Sequence, residues 1–383
     1  MSTDISTRAK PTRLAEHGFW DYTTPGAGGM EMFQKDDYLS LLEDMASAGM
    51  NSLAVSVKWV STGYKSKLPY LDQLPGIPVI DSDNDLLRFV IEESHKRGIK
   101  FWIMTVLNYF CVNTFGGSPH TIWNKMGGID IPFQVGLYDA DDPMVMERSV
   151  EIVEEVLGLF PEIDGLVIEF ELDNLSRPRR VPLYNAWAEE NERPQFDDIG
   201  KPFDPRFSDL ADWRDYATHA RLVVLEAIEK TVRQKGFEGD FATISAPGAT
   251  DHAVLQELSL DMVHDRCPDW DIITYWYDKW RYREALMDWC INRPQQEGCK
   301  VFYLPRGVMT WCESWPMPLP LETSWKIDIE DILRYKPDSV WWFGCGALNE
   351  GAHVGVSRLK ELGYEDGVEA RRSLLKKVKH LSD

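Results

Sequence analysis

The chain has 383 residues, of which 44% are hydrophobic and 27% charged, and this balance excludes intrinsic disorder. Its formal net charge of −21 disfavours nucleic acid and anionic membrane surfaces as partners. Residues 1–13 lack the apolar segment of a secretion signal, and no apolar run approaches the roughly 20 residues of a membrane span. The six cysteines form no CxxC pair. We therefore expect a soluble cytoplasmic protein without disulfides, metal or cofactor, and homo-oligomer formation stays open.

Apolar, β-rich runs alternate with amphipathic helical stretches eight times along the chain. The predicted strands are Gly18–Tyr22, Asn51–Val60, Lys100–Tyr109, Gly165–Asp173, Asp240–Ala246, Trp270–Asp278, Lys300–Arg306 and Ser339–Cys345. The predicted helices are Asp36–Ala48, Asp83–Lys96, Pro143–Leu159, Leu210–Gln234, Asp251–Asp265, Tyr282–Ile291, Ile327–Tyr335 and Arg358–His380. Nearly continuous apolar character is typical of parallel strands that are covered on both faces. The pattern predicts one α/β domain over 1–383, a single (β/α)8 TIM barrel with an N-terminal arm at 1–15 and a loop insertion at 175–209.

The links that follow strands are much longer than those that follow helices. The long links are Ser61–Ser82, Cys111–Asp142, Leu175–Asp209 and Gly307–Ser324. Long aromatic-rich loops on one rim predict a substrate cleft at the carboxyl ends of the barrel strands. The alternative architecture is a doubly wound open sheet. Its usual phosphate loop has the order G-x-G-x-x-G, which the glycines of "TTPGAGGM" at 23–30 do not follow.

The strongest motif is "GLVIEFELDN", in the fourth predicted strand. Because side chains alternate along a strand, Glu169, Glu171 and Asp173 share the face opposite Ile168 and Phe170. The apolar face must meet the surrounding helices, so the carboxylates are expected to point into the barrel. Neighbouring carboxylates raise one another's pKa, which can keep one of them protonated as a general acid. The alternative is a buried ion-pair network neutralised by Lys58 or Arg306.

Other candidates share a position at strand ends or in the adjoining loops, where barrels bind their substrates. In "LAVSVKW", alternation directs Ala54, Ser56 and Lys58 inward, so Lys58 is expected to contact substrate or pair with a carboxylate. Aromatic side chains outside the core commonly stack on sugar rings, although core packing is the commoner role of any one tryptophan. The candidate substrate-binding residues are Trp20, Asp21, Lys58, Trp59, Asn108, Tyr109, Glu169, His252, Trp276, Tyr277, Asp278, Arg306, Trp311 and Trp342.

A glycosidase needs a second carboxyl group across the cleft from Glu171 or Asp173. Glu313 lies between tryptophans in the loop after the seventh strand, and Glu350 lies in a glycine-rich loop after the eighth. These two are preferred over Asp278 and Glu31. Each could also be an exposed loop charge.

The layout resembles the glycoside hydrolases built on TIM barrels, especially the large clan with its acid/base glutamate on strand four and its nucleophile on strand seven. The segments that carry the resemblance are "LLEDMASAGMNSLAVSVKW", "SHKRGIKFWI" and "IEFELDN". The resemblance implies that Glu171 or Asp173 is the acid/base. Strand seven ends in "FYLPRG", without a glutamate, so the resemblance implies a divergent member of this clan, with the nucleophile at Glu313.

These observations give one main hypothesis and two alternatives. The main hypothesis is a glycoside hydrolase that cleaves an oligosaccharide or small glycoside with a pair of carboxylates, drawn from Glu171, Asp173, Glu313 and Glu350. One alternative is a metal-dependent sugar isomerase or epimerase whose ligands would be Glu171, Asp173, His252 and Asp278. The other is a barrel that binds sugar without catalysis, since the strand-seven glutamate is missing.

Overall fold

The computed structural model describes most of the chain in a set of segments. They are residues 10–21, 34–58, 62–71, 83–111, 120–126, 129–170, 180–195, 210–245, 258–275, 283–308, 320–345, 359 and 362–382. All statements about structure below concern these residues.

Eight parallel strands close into a barrel, which confirms the (β/α)8 prediction. The barrel strands are β1 (Glu16–Asp21), β2 (Ser52–Lys58), β3 (Lys100–Val106), β7 (Gly165–Glu169), β8 (Asp240–Ile244), β9 (Trp270–Tyr275), β10 (Val301–Leu304) and β11 (Ser339–Phe343). Their order around the ring follows the chain, and the ring closes where β1 pairs with β11. Each of the eight strands coincides with a strand expected from the sequence; all end earlier than expected, and β1 begins two residues earlier.

Helices cover the outside of the barrel between consecutive strands and after the last strand. They are α1 (Lys35–Ser47), α2 (Asp85–Lys96), α3 (Pro143–Leu159), α4 (Arg180–Glu190), α5 (Leu210–Gln234), α6 (Leu260–Arg266), α7 (Arg283–Met287), α8 (Arg293–Gln296), α9 (Leu321–Tyr335) and α10 (Gly367–Val378). A π-helical segment, Asp288–Asn292, joins α7 to α8. Asp142 begins α3 by accepting a hydrogen bond from the Met144 amide at 3.0 Å, and proline occupies the first helical position. Among these helices, none is long and apolar enough to cross a membrane.

A small antiparallel sheet follows β3 and was not expected from the sequence. It has the order β4–β6–β5 and consists of β4 (Tyr109–Cys111), β5 (His120–Met126) and β6 (Ile129–Leu137). This stretch was expected to be an irregular loop. A two-residue link, Gly-Gly in the sequence, separates β5 from β6 and is a recognised hairpin signal. The residues of β5 and β6 do not alternate regularly between apolar and polar. The pairing of the two strands shifts register, and each shift interrupts the period of two.

The two faces of the barrel strands bury different side chains. Leu53, Val55 and Val57 of β2 belong to the apolar cluster between barrel and helices, whereas the equally buried Ala54 does not. Inside the barrel, aromatic rings pack edge to face: Trp102 lies 5.2 Å from Trp341, measured between ring centroids.

The rings fill the barrel so closely that one strand position must be glycine. A Cβ atom on Gly165 would lie 2.3 Å from Cε3 of Trp102, far inside van der Waals contact. The direction of this Cβ also fixes which face of β7 points inward, because Trp102 belongs to the interior packing. The barrel is therefore a packed core and not a channel.

The amino ends of the strands form a closed polar floor beneath these rings. The Glu16 carboxylate accepts hydrogen bonds from Ser52 Oγ (2.6 Å), Trp102 Nε1 (2.9 Å) and Lys100 Nζ (2.9 Å). Trp341 Nε1 donates in turn to Ser52 Oγ at 2.9 Å. Asp271, at the start of β9, lies beside this floor, and burial raises its pKa to about 7. Structural contacts therefore occupy this end of the barrel.

Candidate active site

Glu169 is the last residue of β7 and faces the barrel interior. It lies four positions after Gly165, whose missing Cβ points at Trp102, and strand alternation gives both residues the same face. Its neighbours Leu166 and Ile168 pack in the cluster beneath the helices. The Glu169 side chain is 3% exposed, so the carboxyl group lies within the upper part of the barrel rather than in bulk water. Its backbone carbonyl accepts a hydrogen bond from the Leu107 amide at 2.9 Å, which ties β7 to the end of β3.

The described contacts of Lys58 differ from those expected from the sequence. Its Nζ atom donates to the carbonyl oxygens of Val106 (2.6 Å) and Tyr109 (2.7 Å) and lies 3.8 Å from the centroid of the Phe110 ring. No carboxylate among the described residues pairs with it. The side chain is fully buried, and burial holds the pKa of Lys58 well below its usual range. Among the described residues the amine therefore binds backbone, and a contact with substrate or with Glu171 or Asp173, which lie outside them, stays a prediction. The pairing of β2 with β3 shifts register between Ser56 and Lys58, and strict alternation could not foresee this.

The two candidate tryptophans with described side chains lie on different faces. Trp20 is inside the barrel, 1% exposed, with its ring 6.1 Å from Trp341 and 6.2 Å from Phe343. Trp342 lies on the helix side and is fully buried, and its Nε1 donates to His17 Nε2 at 3.0 Å. The expectation that Trp342 is a stacking platform at the rim is wrong, because its ring faces are covered by the helix-side core.

Three further candidates lie where strands end. Asn108 and Tyr109 follow β3 and are fully buried, and the Asn108 carbonyl accepts a hydrogen bond from the Tyr138 amide at 2.9 Å. Arg306 follows β10, is 4% exposed and pairs with Phe343 of β11 through an isolated bridge. These residues, with Glu169, surround the carboxyl end of the barrel from the third, fourth and seventh barrel strands. Asp21 ends β1, and its side chain lies outside the described residues.

The other predicted site residues fall outside the described segments. They are the candidate catalytic carboxylates Glu171, Asp173, Glu313 and Glu350, together with Trp59, His252, Trp276, Tyr277, Asp278 and Trp311. Within the segments that are described, no group of three or more His, Cys, Asp or Glu side chains could hold a metal ion. The ligands that the isomerase alternative requires lie outside these segments.

A buried ionic network at this end of the barrel was not anticipated from the sequence. Arg180, at the start of α4, is fully buried; its Nε donates to Asp141 at 2.7 Å and its guanidinium lies 3.6 Å from Asp139. The Tyr216 hydroxyl donates to the same Asp141 carboxylate at 2.6 Å, and burial raises the pKa of this tyrosine above its ordinary value. The network joins the 175–209 insertion to the segment that leads into α3. The acidic run "YDADDP" and the basic run "RPRR" were its sequence signal.

No family model matches this chain. A curated protein matches part of it in sequence. The chain is similar to a glycosyl hydrolase. The match is to the glycosyl hydrolase YngK of Bacillus subtilis (strain 168), with 27% identity over an alignment of 192 residues that covers 47% of this chain and 34% of YngK. The chain thus spans about a third of the length of the curated relative it matches.

Solved structures with the same fold cover almost the whole chain. The PgaB glycoside hydrolase domain from Bordetella bronchiseptica has a TM-score of 0.58 and 11% identity, and the match covers 97% of this chain and 99% of that one. The endo-1,4-β-D-mannanase from Thermotoga petrophila RKU-1 has a TM-score of 0.53 and 12% identity, covering 96% and 99%. At these identities the similarity shows the fold alone.

Proposed function

We propose that this chain is a glycoside hydrolase domain that cleaves an oligosaccharide or small glycoside at the carboxyl end of its barrel. The observation that carries the proposal is an inward, buried glutamate, Glu169, at the end of the fourth barrel strand of a chain that is similar to YngK. The charge of −21 supports a neutral sugar over an anionic substrate.

In the proposed mechanism two carboxyl groups flank the glycosidic bond. Glu171 or Asp173 protonates the leaving oxygen, and Glu313 or Glu350 acts as nucleophile or as the base that activates water. Glu169, deeper in the barrel, accepts a hydrogen bond from a sugar hydroxyl. Asn108 and Arg306 contribute polar contacts from the neighbouring strand ends.

The test is hydrolysis of a panel of 4-nitrophenyl α- and β-glycosides and of unmodified oligosaccharides by the wild-type chain. Glu171→Gln and Asp173→Asn are then compared on the best substrate, and one of them is expected to lower kcat by about 10³-fold or more while the fold is kept. Glu93→Gln, on the outer helix α2, is the matched carboxylate control and should retain full activity. Proton NMR of the first anomer released distinguishes retention from inversion.

Two results would contradict the proposal. Full activity in both variants would show that neither Glu171 nor Asp173 is a catalytic acid. Calorimetric binding of a sugar with no turnover of any substrate in the panel would instead favour the barrel that binds without catalysis.

A further inference from the structure

Lys58 is placed where its amine can shape the active site without touching substrate. The residue is fully buried at the end of β2, although removing an amine from water is costly unless it is well bonded. Its Nζ atom reaches two backbone carbonyls and one ring face: Val106 oxygen at 2.6 Å, Tyr109 oxygen at 2.7 Å and the Phe110 centroid at 3.8 Å. An ammonium has three N–H groups and a neutral amine has two, so both protonation states can keep the two carbonyl contacts.

The two carbonyls belong to opposite ends of one turn. Val106 is the last residue of β3 and Tyr109 is the first residue of β4, so the amine spans the turn that contains Leu107 and Asn108. No backbone–backbone bond among the described residues joins Val106 to Tyr109 across this turn. The lysine side chain bridges its two ends.

The same turn is bonded directly to the strand that carries Glu169. Val106 pairs with Glu169 in the β3–β7 register, and the Leu107 amide donates to the Glu169 carbonyl at 2.9 Å. On the other side, the Tyr138 amide donates to the Asn108 carbonyl at 2.9 Å. A change in the shape of the turn therefore moves Asn108 relative to Glu169.

We propose that Lys58 is a positioning residue: by binding the carbonyls of Val106 and Tyr109 it fixes the turn that sets Asn108 beside the Glu169 strand end. This rests on the proposed function for its catalytic readout and extends that function to a residue that acts through Asn108. A small displacement of a substrate-positioning group can lower the rate about a hundredfold. A gain of this size in rate would explain why a buried amine is kept at this position.

The experiment compares Lys58→Met, Asn108→Ala and the double variant on the best 4-nitrophenyl glycoside. Methionine fills similar space without N–H donors. We expect K58M to lower kcat/KM about ten- to hundredfold. The double variant should have the same kcat/KM as N108A, because Lys58 acts through Asn108 and its loss has no effect once Asn108 is gone. Lys100→Met, a lysine on β3 at the opposite end of the barrel, is the matched control and should keep the wild-type kcat.

Hydrogen exchange of backbone amides gives a readout that does not depend on turnover. In K58M the Leu107 and Tyr138 amides should exchange about tenfold faster, whereas amides of β11 should not change. Lys58→Gln, whose amide keeps two N–H donors on a shorter stem, should give an intermediate effect and serves if K58M does not fold.

The inference is overturned by unchanged exchange at Leu107 and Tyr138, by wild-type activity in K58M, or by losses in K58M and N108A that multiply in the double variant. If the wild-type chain hydrolyses none of the glycosides, the proposed function fails and the exchange experiment alone decides whether Lys58 holds the turn.

Discussion

His17 is a buried histidine on β1 that should make the stability of the barrel fall steeply in acid. Trp342 Nε1 donates to its Nε2 at 3.0 Å, so its proton resides on Nδ1, which lies 2.7 Å from Ser382 Oγ. Burial, and next the charge of His380, lower the pKa of His17 from 6.5 to about 3. In the unfolded chain the imidazole takes up a proton as the pH falls through 6.5, whereas the folded chain resists until about pH 3. Stability from this residue is therefore present above pH 6.5 and is lost as the pH falls towards 3.

The magnitude follows from the difference in pKa. Between pH 6 and pH 3.5 the unfolded state binds one more proton, which corresponds to about 1.4 kcal/mol per pH unit. At pH 4.5 the accumulated loss is about 2–3 kcal/mol, a large share of the stability of an ordinary domain. Gln at position 17 can still accept a hydrogen bond from Trp342 but does not titrate.

Urea unfolding of wild type and His17→Gln between pH 7.5 and 4 measures this directly. The difference between the two free energies of unfolding should change by about 2–3 kcal/mol in favour of the glutamine variant as the pH falls to 4.5. Trp342→Phe, which removes the donor and leaves the histidine, should keep the wild-type slope. Parallel curves for wild type and H17Q over the whole range would refute the reasoning.

Two further predictions concern the barrel interior. Burial raises the pKa of Asp271 from 3.8 to about 7, so the charged form is disfavoured in the fold and stability is lost as the pH rises from about 4 to 7. Asp271→Asn should therefore raise the free energy of unfolding by up to about 4 kcal/mol at pH 8 and have little effect at pH 4; an equal effect at both values would contradict this. Gly165→Ala should lower it by about 2–3 kcal/mol, because the new Cβ meets Trp102, and combining it with Trp102→Phe should cost less than the sum of the two single changes. If the two losses of unfolding free energy simply add, the new Cβ does not act through its contact with Trp102.

The barrel could be predicted because each of its strands is covered on both faces. Burial on both sides requires nearly continuous apolar residues, and this makes runs such as "GLVIEF" stand out from the helical periods around them. The β4–β6–β5 sheet is not part of the barrel, and its strands are not continuous apolar runs. Its pairing shifts register twice between β5 and β6, so the period that would have revealed it is interrupted.

The candidate site was harder to predict because alternation gives the period of a strand and not its phase. In "SVWWF" the sequence cannot say which tryptophan faces inward: Trp341 packs against Trp102 inside the barrel, whereas Trp342 lies under the helices. Lys58 shows a second limit, since a register shift next to it breaks the alternation that was used to orient it. The inward direction of Glu169 could be predicted because its neighbours Ile168 and Phe170 are apolar and pack under the helices. Alternation then directs the glutamate to the opposite face.

The closure of the ring between β1 and β11 has a consequence for how the protein is made. Glu16 and Ser339, which pair across this seam, are 323 residues apart in the chain. At roughly 5–20 residues per second, a ribosome needs about 15–65 seconds between synthesising the two partners. Any sheet assembled in that interval has an open edge at β1, and such an edge offers unpaired amide and carbonyl groups to other chains. The last strand is therefore also the one that ends the exposure of the nascent chain to aggregation.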